Sequence, residues 1–296
     1  MALVSVIIPS RNERYLSTTI ADIMHKFTGE YEIIVVLDTP SEYPLPPCDD
    51  RLSYVYKYNY DKYRAPGIRD AINLGVLFSH GEYILKVDAH CGFDQDFDRI
   101  LLQHCLVDEV MVARRYTLDI ETWQPRPRFV DYYYLSCPWT YPRGTMMMQS
   151  CPWITRTELM WQDSSVVDDL MCFQGSMWMM SRDHWDWLGG LEIGEEVYAE
   201  HHEISMKTWL GGRRVVINKD TSYYHPRERV SGYHMSMGQV YKDHDHSARY
   251  WTTNQWAYRE HDFDWLIEKF WPLPTKHNRH RLEKYYWPEN WWDLYL

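Results

Sequence analysis

The chain has 296 residues, of which 45% are hydrophobic and 25% charged, enough apolar material for one large domain with a real core and too much for a disordered segment. Its formal net charge of −11 excludes wrapping a nucleic acid through bulk charge and leaves only a local basic groove for that purpose. The 15 Trp and 24 Tyr far outnumber the 8 Phe, so the aromatic excess consists of rings with a polar atom, suited to stacking on sugars or bases as well as to core packing.

The opening MALVSVIIPSRNE has a short apolar run and no basic lead, which reads as neither signal peptide nor anchor, and no later stretch approaches a membrane span. Cys48, Cys91, Cys105, Cys137, Cys151 and Cys172 form no CxxC pair. Reduced thiols and a cytoplasmic location are therefore expected.

Residues 3–8 (LVSVII) are apolar without alternation, as in a strand covered on both faces of a parallel sheet, and Pro9 ends them. Asn12 and Glu13 fall in a polar loop. Residues 15–27 then place Leu16, Ile20, Ile23, Met24 and Phe27 at helical spacing, and Gly29 stops the pattern. A second buried strand over 32–37 ends in Asp38, completing a βαβ unit with ligand groups expected at the carboxyl ends of its strands. A Pro-rich loop covers 40–47, a short strand 52–56, and a helix 68–78. Gly81 leads into a third buried strand, 83–87, that runs directly into Asp88-Ala89-His90.

A further strand is expected over 109–113. Residues 116–165, rich in Pro, Trp, Tyr and Met, read as an irregular or antiparallel region. Strand character returns over 170–180, followed by a helix at 182–188, Gly189-Gly190, a helix at 200–210, and a strand at 214–217 that feeds Tyr223-Tyr224-His225. Past Pro226 the chain is polar, aromatic and His-rich, consistent with a loop and helices that pack on the domain. The expected architecture is α/β, a mostly parallel sheet flanked by helices. Residues 1–226 are expected to form one domain, with a first half at 1–115 and a second at 116–226, and 227–296 a C-terminal extension.

In an extended strand, residues two apart project to the same side, so Asp88 and His90 can share one ion while Ala89 turns away. A hard oxygen beside an imidazole suits Mn²⁺, or another divalent ion such as Mg²⁺, that must also accept diphosphate oxygens. The flanking residues add context: a buried strand ending in Pro9-Ser10-Arg11-Asn12-Glu13, a second ending in Asp38, a helix carrying Arg69 and Asn73, and Gly81-Glu82-Tyr83 ahead of the Asp-x-His. Together they resemble the glycosyltransferase family 2 superfamily, whose members have the GT-A fold. The resemblance implies a UDP-sugar donor, with Pro9 and Asp38 as uracil and ribose contacts and Arg69 as a diphosphate contact. Arg11, Glu13, Ala89 and Gly175 would line the same donor site.

The stretch 175–212, with Gly189-Gly190, Glu200, Glu203, Trp209 and Gly211-Gly212, is similar to the sugar-binding segment of the polypeptide N-acetylgalactosaminyltransferases. That likeness implies His225 as a third metal ligand and a retaining transfer in which the leaving phosphate takes the acceptor proton. Glu200 and Glu203 share a helix face, so one can bind sugar hydroxyls while the other positions or deprotonates the acceptor. His201 stands where inverting members of family 2 carry Asp, which leaves the general base unassigned.

The layout also resembles glycosyltransferases encoded by tailed bacteriophages, which implies a hydroxymethylated pyrimidine in DNA as one acceptor. Arg114-Arg115, Arg126-Pro127-Arg128 and the basic run 276–284, with Tyr132 to Tyr134 and residues 285–287, would supply phosphate and stacking contacts. Glycan hydroxyls and protein Ser or Thr are the rival acceptors. A nucleotide-sugar-binding protein without turnover is the rival from another class. A nucleotidyltransferase would carry a Gly-rich basic loop after the first strand, and Ser10-Arg11-Asn12-Glu13 is not one.

Overall fold

The computed structural model describes residues 3–57, 67–136, 139–140, 146–160, 163–192, 200–227 and 237–274. Strand β1 (Val4–Ser10) leads to α1 (Leu16–Lys26), β2 (Tyr31–Leu37), β3 (Leu52–Tyr56), α2 (Ile68–Leu77) and β4 (Tyr83–Val87). Then come β5 (Gly92–Phe93), α3 (Phe97–His104), β6 (Glu109–Asp119), β7 (Gln124–Val130), β8 (Tyr133–Leu135), β9 (Trp139–Thr140), β10 (Met146–Met147) and β11 (Ser150–Pro152). The chain continues through α4 (Ile154–Leu159), β12 (Val167–Asp169), β13 (Met177–Ser181), α5 (Arg182–Leu188), α6 (Glu200–Leu210), β14 (Arg214–His225), α7 (Met237–Thr252) and α8 (Phe263–Lys269).

Among the described residues, ten strands form one mixed sheet with the main order β12-β14-β6-β13-β4-β1-β2-β3. The β3-β2-β1-β4 half is parallel throughout, as its unalternated apolar strands require. Gly75 lets α2 lie close on this half, because a Cβ there would stand 2.5 Å from a methyl of Ile7. Strand β13 enters antiparallel to both β4 and β6, and β14 runs parallel to β6. The starts of β13 and the ends of β1, β2, β4 and β14 therefore meet at one sheet edge.

Several expected boundaries move. The expected strand at 170–180 is only Met177–Ser181, and the preceding residues are a buried loop whose Ser176 carbonyl accepts from the Asp88 amide at 2.9 Å. Apolar content alone does not separate such a loop from a strand. Conversely, the expected strands at 109–113 and 214–217 extend to Asp119 and His225. The region read as irregular or antiparallel contains β7 against β6 and β11 against β8, both antiparallel.

Every residue of α6 is buried, so it has no single apolar face and its polar side chains need internal partners. Ser205 donates to the His201 carbonyl, and His184 of α5 sits 3.2 Å from Thr208. Trp209 donates its indole N–H to the Leu170 carbonyl and meets Phe270, just past α8, edge-on at 5.3 Å. Among the described residues no helix is long and apolar enough to cross a membrane. The described cysteines, Cys48, Cys91, Cys105, Cys151 and Cys172, are free thiols, and Cys137 lies outside the described residues.

Burial, reinforced by Arg213, pushes His184 down to about 3. An unfolded His titrates near about 6.5, so below that pH the unfolded chain takes up a proton that the native ring refuses. Stability is therefore expected to fall by about 2 kcal/mol from this ring between about pH 7 and 5, and to level off below the native value. Denaturant titrations across that window should give a shallower pH slope for His184→Gln than for the wild type; equal slopes would refute this assignment.

Candidate active site at the sheet edge

The converging strand ends line a cleft that contains Pro9, Arg11, Glu13, Asp38, Asp88, Ala89, His90, Gly175 and Glu200, nine residues singled out from the sequence. Asp38 is held by Arg11 at 3.3 Å and Lys57 at 3.0 Å, which fixes its carboxylate at the end of β2. Gly175 has no side chain because Glu200 and His201 occupy the space a Cβ would need.

Asp88, His90 and His225 come together although 135 residues separate the two histidines. The Nε2 atoms of His90 and His225 are 3.1 Å apart, His225 Nε2 lies 3.3 Å from Asp88 Oδ2, and His90 Nε2 lies 3.9 Å from the same oxygen. The centre of a triangle with these edges is about 2 Å from each atom, close to the roughly 2.0–2.2 Å of divalent-metal bonds to nitrogen and oxygen. One carboxylate and two imidazoles thus fit a divalent ion with coordination positions left toward the cleft. The route to this geometry differs from the extended-strand expectation. Asp88 follows the last residue of β4 and residues 89–90 form a turn, so the turn brings the His90 ring back over Asp88.

The surroundings set the charges. Lys86, fully buried, donates to Asp88 Oδ1 at 2.5 Å and to the Gly175 carbonyl at 2.6 Å. Burial alone would lower its pKa, but Asp88 and Glu200 outweigh that and hold it raised. Burial likewise opposes the charge of Asp88, yet Lys86, a hydrogen bond from His225 and the charge of His90 keep its carboxyl well below the usual range. Burial pushes His225 down to about 3, with Asp88 opposing and His90 and Arg115 adding, so the ring is neutral at physiological pH. Arg115 can only donate, so His225 Nδ1, 3.2 Å away, accepts and the ring proton sits on Nε2 facing Asp88. An ion taking that Nε2 must displace this proton. His90 Nδ1 lies 3.4 Å from Glu13, which orients the second imidazole.

Two expected site residues stand outside this group. Arg69 and Glu203 are ion-paired with each other across α2 and α6, and Lys207 adds a 2.7 Å contact to the same carboxylate. Glu203 also accepts the Glu192 amide at 3.0 Å. Neither Arg69 nor Glu203 lines the cleft, and both are almost fully buried. Glu200, one turn earlier on α6, does reach it. Burial would raise its pKa, but His201, Lys86 and Arg69 hold it lowered.

The arginines expected to meet phosphate divide the same way. Arg114 makes a two-pronged pair with Asp131, and Arg115 binds Tyr133 and His225, so both serve the interior. Arg126 and Arg128 are exposed on β7. The basic run 276–284 and its aromatic neighbours lie outside the described residues. Sequence reasoning missed Lys86, Arg115 as the partner of His225, Lys57 and His201. A lysine inside YILKV, two residues before the aspartate, was the one visible signal among them.

Residues 5–184 match the family described as glycosyl transferase family 2. Among solved structures the chain is similar to GalNAc-T7 determined with UDP, GalNAc and Mn²⁺, with a TM-score of 0.60 and 16% identity over 76% of this chain and 43% of that one. It is also similar to S. aureus TarS residues 1–349 in complex with UDP-GlcNAc, with a TM-score of 0.50 and 14% identity over 82% of this chain and 64% of that one. At such identities the likeness is one of fold, the GT-A fold expected from the sequence, and the chain spans less than two thirds of either neighbour's length. No curated protein sequence matches it. The family match covers more than half of the chain and includes every strand end of the nucleotide-side half, and on that ground the chain belongs to glycosyl transferase family 2.

Proposed function

We propose that this protein is a metal-dependent glycosyltransferase that moves a sugar from a UDP-linked donor to a hydroxyl acceptor in the cytoplasm. The observation that carries the reading is the Asp88, His90 and His225 triangle, sized for a divalent ion, of which Asp88 and His90 line the cleft that also holds Asp38. The Mn²⁺ and UDP of GalNAc-T7 and the UDP-GlcNAc of TarS support the choice of ion and nucleotide; Mg²⁺ is the alternative ion. When bound, the ion supplies positive charge against the two phosphates as the sugar leaves.

The chain's own groups divide the remaining work. Asp38, braced by Arg11 and Lys57, accepts from the base or ribose, and Pro9 forms the wall beside it. Ala89 and Gly175 keep their part of the cleft open, and Glu200 accepts hydrogen bonds from sugar hydroxyls. Because Glu200 lies beside His201, at 3.8 Å, and in the field of Lys86, it is a poor base. A retaining transfer of a hexose or N-acetylhexosamine, with the leaving phosphate taking the acceptor proton, suits that arrangement. Glu203 neutralises Arg69 and Lys207 and has no acid-base task. The same reading treats residues 1–226 as the catalytic unit and 227–296 as an extension, supported by the packing of Phe270 on Trp209 of α6.

For the acceptor, a hydroxymethylated pyrimidine in DNA is the first to test, given exposed Arg126 and Arg128; glycan and Ser or Thr hydroxyls are the competing arms. A donor screen with Mn²⁺ that reads nucleotide release and thermal shift addresses donor, ion and turnover together. Donor binding without release or transfer to any acceptor would favour the non-catalytic alternative. Retention is checked by the anomeric configuration of the product.

Asp88→Ala and His225→Ala are each expected to lose the Mn²⁺-dependent thermal shift and to lower turnover by about a thousandfold or more. Full turnover in Asp88→Ala, or in excess chelator, would remove the metal mechanism. Glu203→Gln should instead act on stability. It removes the charged carboxylate that Arg69 and Lys207 share in the interior, at a cost of about 3–5 kcal/mol, read as a lowered unfolding midpoint. A Glu203→Gln protein as stable as the wild type but inactive would return Glu203 to the reacting groups.

A further inference from the structure

Position 86 lies inside a strand whose same-face neighbour Ile84 is fully buried, and position 86 is fully buried too. An apolar residue would serve packing there, and an ammonium at such a depth is costly unless its charge is used. Two of its three N–H groups go to Asp88 Oδ1 and the Gly175 carbonyl, and the side chain also lines the cleft. The Asp88 carboxylate is thereby divided: Oδ1 belongs to Lys86, and Oδ2 alone faces the His90 and His225 nitrogens.

Around the triangle, the positive charges of Lys86 and Arg115 stand against the carboxylates of Asp88, Glu13 and Glu200, the last of which lines the same cleft. Lys86 thereby offsets negative charge that would otherwise draw in a divalent ion, and cation affinity follows the ligand charge count. A diphosphate changes that balance, bringing its own negative charge toward both the ion and Lys86.

We infer that Lys86 is a positioning residue that restricts Asp88 to one-oxygen ligation and sets the charge of the cleft so that cation and diphosphate are taken up together and each only weakly alone. The inference rests on the proposed metal-assisted donor site and concerns a residue that site does not otherwise need. Linkage makes the coupling reciprocal: whatever the nucleotide adds to ion affinity, the ion adds to nucleotide affinity.

The test is binding to the full chain of MnCl₂ alone, UDP alone in chelator, and each in the presence of the other, followed by calorimetry and by the Mn²⁺ resonance signal. Wild type should bind Mn²⁺ at least about tenfold tighter with UDP present. Lys86→Met should bind Mn²⁺ alone about tenfold tighter than wild type and UDP alone about tenfold weaker, with reduced coupling. A residue needed only for folding would weaken both. Lys86→Gln, which retains an N–H for the Gly175 carbonyl, should shift in the same two directions and serves if the Met variant does not fold. Mn²⁺ binding that is unchanged or weakened in the folded Lys86 variants, while Asp88→Asn abolishes it, overturns this inference and leaves the metal site standing. Wild type that binds no Mn²⁺ with or without UDP overturns both.

Discussion

One carboxylate, that of Asp88, is shared between a buried ammonium and a pair of imidazoles, and the arrangement of the whole sheet serves that sharing. Lys86 approaches from the same strand, held in turn by the Gly175 carbonyl from the loop before β13. His90 returns through the turn after β4, and His225 arrives from the end of β14. Had β13 entered the sheet parallel to β4, its start would lie at the opposite edge and the Gly175 and Ser176 carbonyls could not reach Lys86 and the Asp88 amide. The antiparallel entry is what brings the loop before β13 onto the strand ends of the parallel half.

Burial makes these contacts costly to leave incomplete. In the interior, an ion pair stabilises little in net terms, but losing one partner leaves a charge with no compensation. The same reasoning covers the second internal cluster, Arg69, Glu203 and Lys207, which ties α2 to α6. Asn73 reinforces it by exchanging hydrogen bonds with the Leu191 backbone on both sides, at 2.8 and 3.0 Å. Thus α6 presents Glu200 to the cleft from a helix locked on all sides, while Glu203, one turn on, does the locking.

Much of this was legible in the chain. Apolar runs bounded by Pro9, Gly29 and Gly81 delimit β1, α1, β2, α2 and β4 to within a residue or two, because local sterics and two-faced burial govern those elements. The clustering of Asp88 and His90 with the distant His225 was foreshadowed as well, the pair by its spacing after a strand and His225 by the family resemblance. What stayed hidden depends on contacts remote in sequence. Arg69 and Glu203 are 134 residues apart, and nothing local to either shows that they neutralise each other. The loop ahead of β13 is as apolar as a strand because it is equally buried. Arg114 and Arg115 read as surface charges, yet the tertiary fold pairs them internally. Lys86 stayed hidden for a related reason, since nothing local to the buried strand 83–87 shows which groups its ammonium meets.

The twelve-residue β14 carries a consequence for assembly. Its last residue completes a cluster begun at Asp88, and its pairing with β6 requires most of the catalytic chain to have been laid down first. An intermediate holding only the first four strands would possess one wall of the cleft and lack His225, so the three-residue cluster could not close. On the proposed function, a complete metal and donor site therefore exists only once the sheet closes around β14.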